Sequence, residues 1–281
     1  MPEVAPIAQH SLIHRHPVTS YFVLTYAISW AGALLIGAPY WIRGQAVPKF
    51  PGIMMFPAML LGPSIAGMIL TWVVHGKPGV RMLFARMRRL GPARWLIALA
   101  IPPGLVLAVL LGLKTFVSTD FAPNLFLIGL AFGIMAGLIE EIGWTGFAFP
   151  FMQSTQKPLR AAVSLGLLWA AWHMPVVDYL GAATPHGKYW LLFFLAFTAA
   201  MTAMRVLICW VYANTESVLV AQMLHASSTG ALAVFSPAGV TAGEEVSWYA
   251  AYAVVLWAAV TIILTKWDAL AKPGSASRRR A

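Results

Sequence analysis

The stretch Ala136-Gly137-Leu138-Ile139-Glu140-Glu141-Ile142-Gly143-Trp144-Thr145-Gly146-Phe147-Ala148-Phe149-Pro150 sets two adjacent carboxylates inside an apolar run that begins near Asn124. An ionised carboxylate in hydrocarbon costs about 3 kcal/mol or more, so a chain keeps such a pair only where other groups compensate it. Ionisable side chains at membrane depth are functional by default, which makes Glu140 and Glu141 the first site candidates. The bland alternative is a structural pair that bridges helices.

The rest of the composition agrees with a membrane setting. The 281 residues are 60% hydrophobic and 10% charged, with a mean hydropathy of +0.76. A soluble domain would carry nearer a quarter charged residues. Spans of about twenty apolar residues are predicted near 19–42, 52–74, 95–116, 124–150, 158–180, 188–213, 216–236 and 246–267. The expected fold is therefore all-α, a polytopic bundle of about eight transmembrane helices. Residues 1–18 read as a polar N-terminal segment, 19–267 as the helical domain and 268–281 as a basic tail. The first apolar run exceeds a signal-peptide core, so it reads as an uncleaved span. Cys209, the single cysteine, excludes a disulfide framework and a cysteine-based metal site.

Lys77, Arg81, Arg86, Arg88, Arg89 and Arg94 lie between the second and third spans, and Lys157 and Arg160 between the fourth and fifth. With Lys272 and Arg278-Arg279-Arg280 in the tail, they fall on one side of an even-numbered bundle. By the excess of Lys and Arg in cytoplasmic loops, both termini are expected in the cytoplasm. This clustering between spans also assigns the net charge of +10 to orientation and lipid headgroups, and excludes nucleic acid as the partner. Pro57, Pro63, Pro102-Pro103-Gly104 and Pro175 fall within spans and predict kinks. Freed carbonyls at such kinks are tolerated where neighbours or a water-filled cavity satisfy them.

Of the seven histidines, His173 and His225 lie well inside spans, as do Glu140 and Glu141 among the nine acids. Counted from the Lys- and Arg-rich side, Glu140, His173 and His225 sit roughly 15, 18 and 12 Å deep at 1.5 Å per residue. They therefore converge on one layer. Four-residue spacing places Glu140 with Trp144, Glu141 with Thr145, Trp169 with His173 and His225 with Thr229 on shared helix faces. Glu140 and Glu141 point about 100° apart, so one addresses a centre while the other bonds locally. Trp144, Trp169 and Trp172 read as packing or interfacial aromatics. A buried Glu and two His suit peptide hydrolysis: the Glu as general base toward water, one His orienting that water or protonating the leaving amine, and the other, beside a hydroxyl, serving an oxyanion. The same Glu140, His173 and His225 could alternatively hold Zn2+ or another divalent metal. A proton-coupled transporter is a further reading, since Glu and His chains also build proton relays.

At these residues the chain resembles the CPBP family of intramembrane proteases, also called the CAAX-protease and bacteriocin-processing or abortive-infection family. A Glu-Glu-x-x-x-Arg motif corresponds to Glu140-Glu141-Ile142-Gly143-Trp144-Thr145, a Phe-x-x-x-His motif to Trp169-Ala170-Ala171-Trp172-His173, and a His-x-x-x-Asn motif to His225-Ala226-Ser227-Ser228-Thr229. The resemblance covers roughly 120–235. It implies an endopeptidase acting on a peptide or protein at the membrane, with Glu140 as general base, His173 holding water, His225 and Thr229 at the oxyanion, and Glu141 in the catalytic set. Three departures stand out. Thr145 replaces the motif arginine, so Glu141 is expected to lack its ion pair and to be protonated against Thr145. Thr229 replaces Asn and keeps one donor. Trp169 replaces Phe, an exchange expected to be mild. A catalytically impaired member that binds peptides or partner helices is the alternative these departures raise. The expected location is a prokaryotic plasma membrane, with the lipid bilayer as surroundings; the sequence leaves the oligomeric state open.

Overall fold

The computed structural model describes residues 12–266, in which all regular structure is helical. A short helix α1 (Leu12–Arg15) precedes α2 (Pro17–Trp41) and α3 (Lys49–Arg88). A 3-10 segment (Ala93–Ala100) runs into α4 (Ile101–Phe116). Then come α5 (Gly129–Gly143), a π-helical turn (Trp144–Ala148), α6 (Phe149–Thr155) and α7 (Pro158–Trp172). The chain finishes with α8 (Trp190–Thr215), α9 (Val218–Phe235) and α10 (Ala242–Lys266). The tail 268–281 and most of the N-terminal segment lie outside the described residues; within the latter, α2 already begins at Pro17.

Seven stretches among the described residues are long and apolar enough to cross a membrane, which makes this an integral, multi-pass protein. They correspond to seven of the eight predicted spans. The exception is 158–180, where α7 has only 15 residues and ends at Trp172. At about 1.5 Å per residue, that is some 22 Å, short of the hydrocarbon thickness. Pro175 explains the stop, because it has no N–H for the carbonyl four residues back and disfavours helical backbone at Met174. Irregular backbone with two 3-10 turns (Val177–Tyr179 and Gly187–Tyr189) follows until α8 begins at Trp190, and Val176, Tyr179, Leu180, Gly181 and Ala182 line a cavity. Non-helical backbone at membrane depth is tolerated in such a position.

The other predicted kinks take a different form. Pro102 opens α4, where its missing N–H is harmless. The long α3 departs from helical dihedrals only at Gly76, and not at Pro57 or Pro63. Pro63 cannot donate to the carbonyl of Met59, and the Ser29 hydroxyl of α2 donates to that carbonyl instead at 2.8 Å. The expected short break between the sixth and seventh apolar runs is present. Glu216 turns left-handed, and the Ser217 hydroxyl caps α9 by accepting from the Val220 amide at 3.0 Å.

Helices α5 and α9 pack antiparallel with little between their backbones. A Cβ on Gly129 would lie 2.8 Å from that of Ala233, one on Gly133 2.7 Å from Gly230 Cα, and one on Gly137 2.7 Å from the Ala226 amide nitrogen. Glycines every fourth residue permit this approach, the usual device where no hydrophobic force drives helices together in lipid. The pairing also fixes the two ends of the bundle. Gly129, Phe235, the start of α3 and the start of α10 share one end; Arg89, Thr215 and the α6–α7 junction share the other.

Candidate active site

Glu140 and Glu141 close the last turn of α5, and both are wholly buried. The backbone then widens into the π-helical turn, a rare form that recurs at functional sites. Pro150 follows and has no N–H to offer the Gly146 carbonyl, which accepts from Arg86 Nη2 at 3.2 Å. Local sequence thus fixes how the two carboxylates are presented.

They face different surroundings, as their 100° offset predicts. Glu140 lines a cavity of about 480 Å³ together with Trp169, His173, His225 and Thr229. Its Oε2 accepts from Trp144 Nε1 at 3.0 Å and from Trp169 Nε1 at 2.8 Å. Its Oε1 is buried with no hydrogen-bond partner. Glu141 is not part of the cavity wall. It accepts from Arg205 Nη1 at 2.8 and 2.9 Å, from His225 Nδ1 at 2.7 Å and from the Thr145 hydroxyl.

Two expectations are therefore corrected. Glu141 does bond Thr145, but it is ion-paired: α8 supplies the cation, Arg205, which the motif reading sought four residues along its own helix. Arg205 also lies over the Trp169 ring, 4.1 Å from its centroid. Trp144 and Trp169 are more than packing groups, because each gives Glu140 a hydrogen bond. The exchange of Phe for Trp169 adds a donor that phenylalanine lacks. Trp172 does fit the packing role, with its ring 6.0 Å from that of Trp144.

The histidines are oriented through Nδ1. His173, at the end of α7, points Nδ1 to the Trp169 carbonyl at 2.8 Å. A carbonyl only accepts, so His173 carries its hydrogen on Nδ1 and presents an unprotonated Nε2 when neutral. His225 gives its Nδ1–H to Glu141, so Nε2 is again the atom left for chemistry at the cavity. The His173 ring stacks on Phe56 at a centroid distance of 6.0 Å, which fixes its plane.

The possible metal set, Glu140, His173 and His225, lines one cavity. However, no group of three His, Cys, Asp or Glu side chains among the described residues is arranged to hold a metal ion. Glu141, the carboxylate bonded to His225, is already matched by Arg205. As placed, the three side chains do not form a metal-ligand set.

A second buried polar cluster lies outside the residues that the sequence singles out. His186 places Nδ1 3.1 Å from Asp178 and Nε2 3.2 Å from Glu245. Glu245 also accepts the Ala182 and Ala183 amides at 2.9 and 2.8 Å. A Cβ on Gly181 would come within 2.7 Å of the Glu245 carboxyl carbon, so this loop closes on α10 only through glycine. The cluster ties the cavity-lining loop to α10.

Comparison with known proteins finds similarity over the part of the chain that carries these residues. Residues 122–231 match the Rce1-like family, described as type II CAAX prenyl endopeptidase Rce1-like. The chain is also 30% identical over 111 residues to a protein of Methanococcus maripaludis named CAAX prenyl protease 2. That alignment covers 38% of this chain and 39% of the relative. It is over residues 122–231 that the chain is similar to the Rce1-like CAAX proteases, and it spans well under half the length of the relative it matches.

Proposed function

We propose that the protein is an intramembrane endopeptidase whose attacking water is activated by Glu140. The observation that carries this reading is Glu140 itself: a buried carboxylate with one oxygen held by two indoles and the other unpartnered, in the wall of a cavity shared with two histidines. Water there can donate one hydrogen to Glu140 Oε1 and the other to His173 Nε2. Glu140 takes the first proton as the water oxygen adds to the scissile carbonyl carbon. The oxyanion forms beside His225 and the Thr229 hydroxyl. To donate from Nε2 while Nδ1–H stays on Glu141, His225 must carry both hydrogens, and Glu141 is its counter-charge. Collapse breaks the C–N bond, and the proton held by Glu140 passes to the leaving amine. Glu141 touches no reacting atom in this scheme; it positions His225.

The substrate is a membrane-associated or lipidated peptide. The matched family description and the archaeal relative's printed name support this class, and the walls formed by Phe56, Phe126, Phe132, Phe197 and Met201 suit an apolar segment. The archaeal relative also fits a prokaryotic plasma membrane as the setting. Purified wild-type protein is expected to cleave a set of quenched-fluorescent peptides, Glu140→Gln to lose at least about a hundredfold in rate, and chelator to leave the wild-type rate unchanged. Loss of activity with chelator, restored by added Zn2+, would reinstate a metal. If a broad peptide set, lipidated ones included, stays uncut, binding without catalysis replaces this reading.

A further inference from the structure

Among the described residues, the cavity reaches the surface at one end of the bundle. Its floor is formed by Glu140, His173 and His225, each nearly or wholly buried. Its rim is formed by Lys49 at the start of α3, Asn124 and Phe126 before α5, and Ala238 after α9, all exposed. These positions are brought together at one end, where the Asn124 and Phe126 amides donate to the carbonyls of Phe235 and Val234. Gly129 at the same end is 11 residues from Glu140, which puts the reacting carboxylate roughly 16 Å below that surface.

Basic residues gather at the opposite end. Lys77, Arg81, Arg86, Arg88, Arg89 and Arg94 lie on the last turns of α3 and the start of the next span, and Lys157 and Arg160 flank the start of α7. Arg86 and Arg89 reach Tyr212 and Glu216 at the end of α8, and the Ser217 hydroxyl donates to the Arg89 carbonyl, so these segments share one surface. Among the described residues, the cavity end carries Arg43, Lys49, Lys114 and Lys188 within its short connections. Lys and Arg in short loops set orientation, while acidic residues contribute little.

From these two asymmetries we infer that the active-site cavity opens on the extracytoplasmic face of the membrane, so that the substrate is a polypeptide segment already translocated or exposed on that face. The inference rests on the peptidase reading for its substrate, but the face follows from geometry and charge alone. A lipidated terminus held in the cytoplasm would meet the closed, basic end of the bundle.

Two labelling experiments on the full chain in intact bacterial cells test the face without needing any cleavage. A membrane-impermeant amine reagent applied to wild-type protein is expected to modify Lys49 and Lys188, and to reach Lys157 only after permeabilisation. In a Cys209→Ala background, a membrane-impermeant maleimide is expected to label Ala238→Cys in intact cells and Ser154→Cys only after permeabilisation. The reverse pattern, or equal labelling of both ends from outside, overturns the inference. The wild-type lysine readout decides if a cysteine variant fails to insert. Right-side-out vesicles then separate the two claims. Cleavage of external peptide supports both, and cleavage confined to inside-out vesicles overturns the inference while leaving the peptidase standing. External labelling with no cleavage in either orientation upholds the face and overturns the peptidase.

Discussion

Arg205 shows what one residue does for a buried carboxylate, and how a reading tied to one helix passes over it. An arginine inside an otherwise apolar 26-residue helix is as conspicuous as the glutamates of α5. Its place within a span marks it on the same principle that marks Glu140, Glu141, His173 and His225. Position 145, one turn from Glu141, holds a hydroxyl and not a cation. Sequence spacing cannot reveal that α8 brings a guanidinium to the same carboxylate across 64 positions. Removing one partner of a buried ion pair costs about 3–5 kcal/mol, because the other is left uncompensated. Arg205→Met is accordingly expected to lower the melting temperature in detergent sharply. Adding Thr145→Arg is expected to restore part of the loss, since an arginine there lies one turn from Glu141. Equal melting temperatures for wild type and Arg205→Met would show that the pair bears no structural load. Trp169 makes a smaller claim. Trp169→Phe keeps an aromatic ring but removes one of the two donors to Glu140, and a hydrogen bond to a charged group is worth about 1.5–3 kcal/mol. The expected outcome is a fall in kcat of roughly tenfold or more with a modest change in melting temperature; an unchanged kcat would make the indole bond incidental.

At the scale of elements, hydropathy was enough to place most spans, because length and apolarity are what a bilayer demands. It misplaced the end of α7 because an apolar run and a helix are different things. Residues 173–180 remain largely apolar, yet they leave the helix at His173 and line the cavity. Hydropathy reports where a segment can reside, while Pro175 and the cavity decide its conformation. The α5–α9 contact was legible only in outline. The glycines at 129, 133 and 137 stand four apart, but the sequence does not say which helix they meet. That contact carries Glu141 to His225, so it bears on function as well as folding. Gly133→Val would drive a branched side chain into the α9 backbone at Ala226 and Gly230. Separation of α5 from α9 is the expected result, with a lowered melting temperature and loss of peptidase activity together. Ala131→Val, at an exposed position on the same helix, is the control expected to change neither. A Gly133→Val protein with the wild-type melting temperature and activity would show that the close packing is dispensable.

Across the whole molecule, the irregular segment that lines the cavity is held at one end by polar bonds to α10, and this hold is expected to depend on pH. Both ring nitrogens of His186 face carboxylates, which have only acceptors to offer when ionised, so the imidazolium is the form that satisfies both. Burial of the ring acts to lower its pKa, but the bond to Glu245 and that carboxylate's charge, reinforced by Asp178, outweigh it and leave the value raised above 6.5. A histidine whose pKa is raised in the folded state stabilises that state fully below its unfolded value, and the contribution disappears as pH climbs through the folded value. The wild-type protein should therefore exceed His186→Gln in melting temperature most at pH below about 6.5, with the gap narrowing as pH rises beyond it. Glutamine keeps hydrogen-bonding capacity and loses the titrating charge, so a gap that stays constant across this range would mean His186 acts by packing on Phe193 alone. The same titration should loosen Gly181 and Ala182 in the cavity wall, because Glu245 holds the amides beside them. Hydrogen exchange at the Ala182 and Ala183 amides is expected to accelerate at high pH beyond the intrinsic rate in wild type. In His186→Gln the protection factor should be low at every pH, and a high, pH-independent protection factor in that variant would show that Glu245 secures the loop without the histidine.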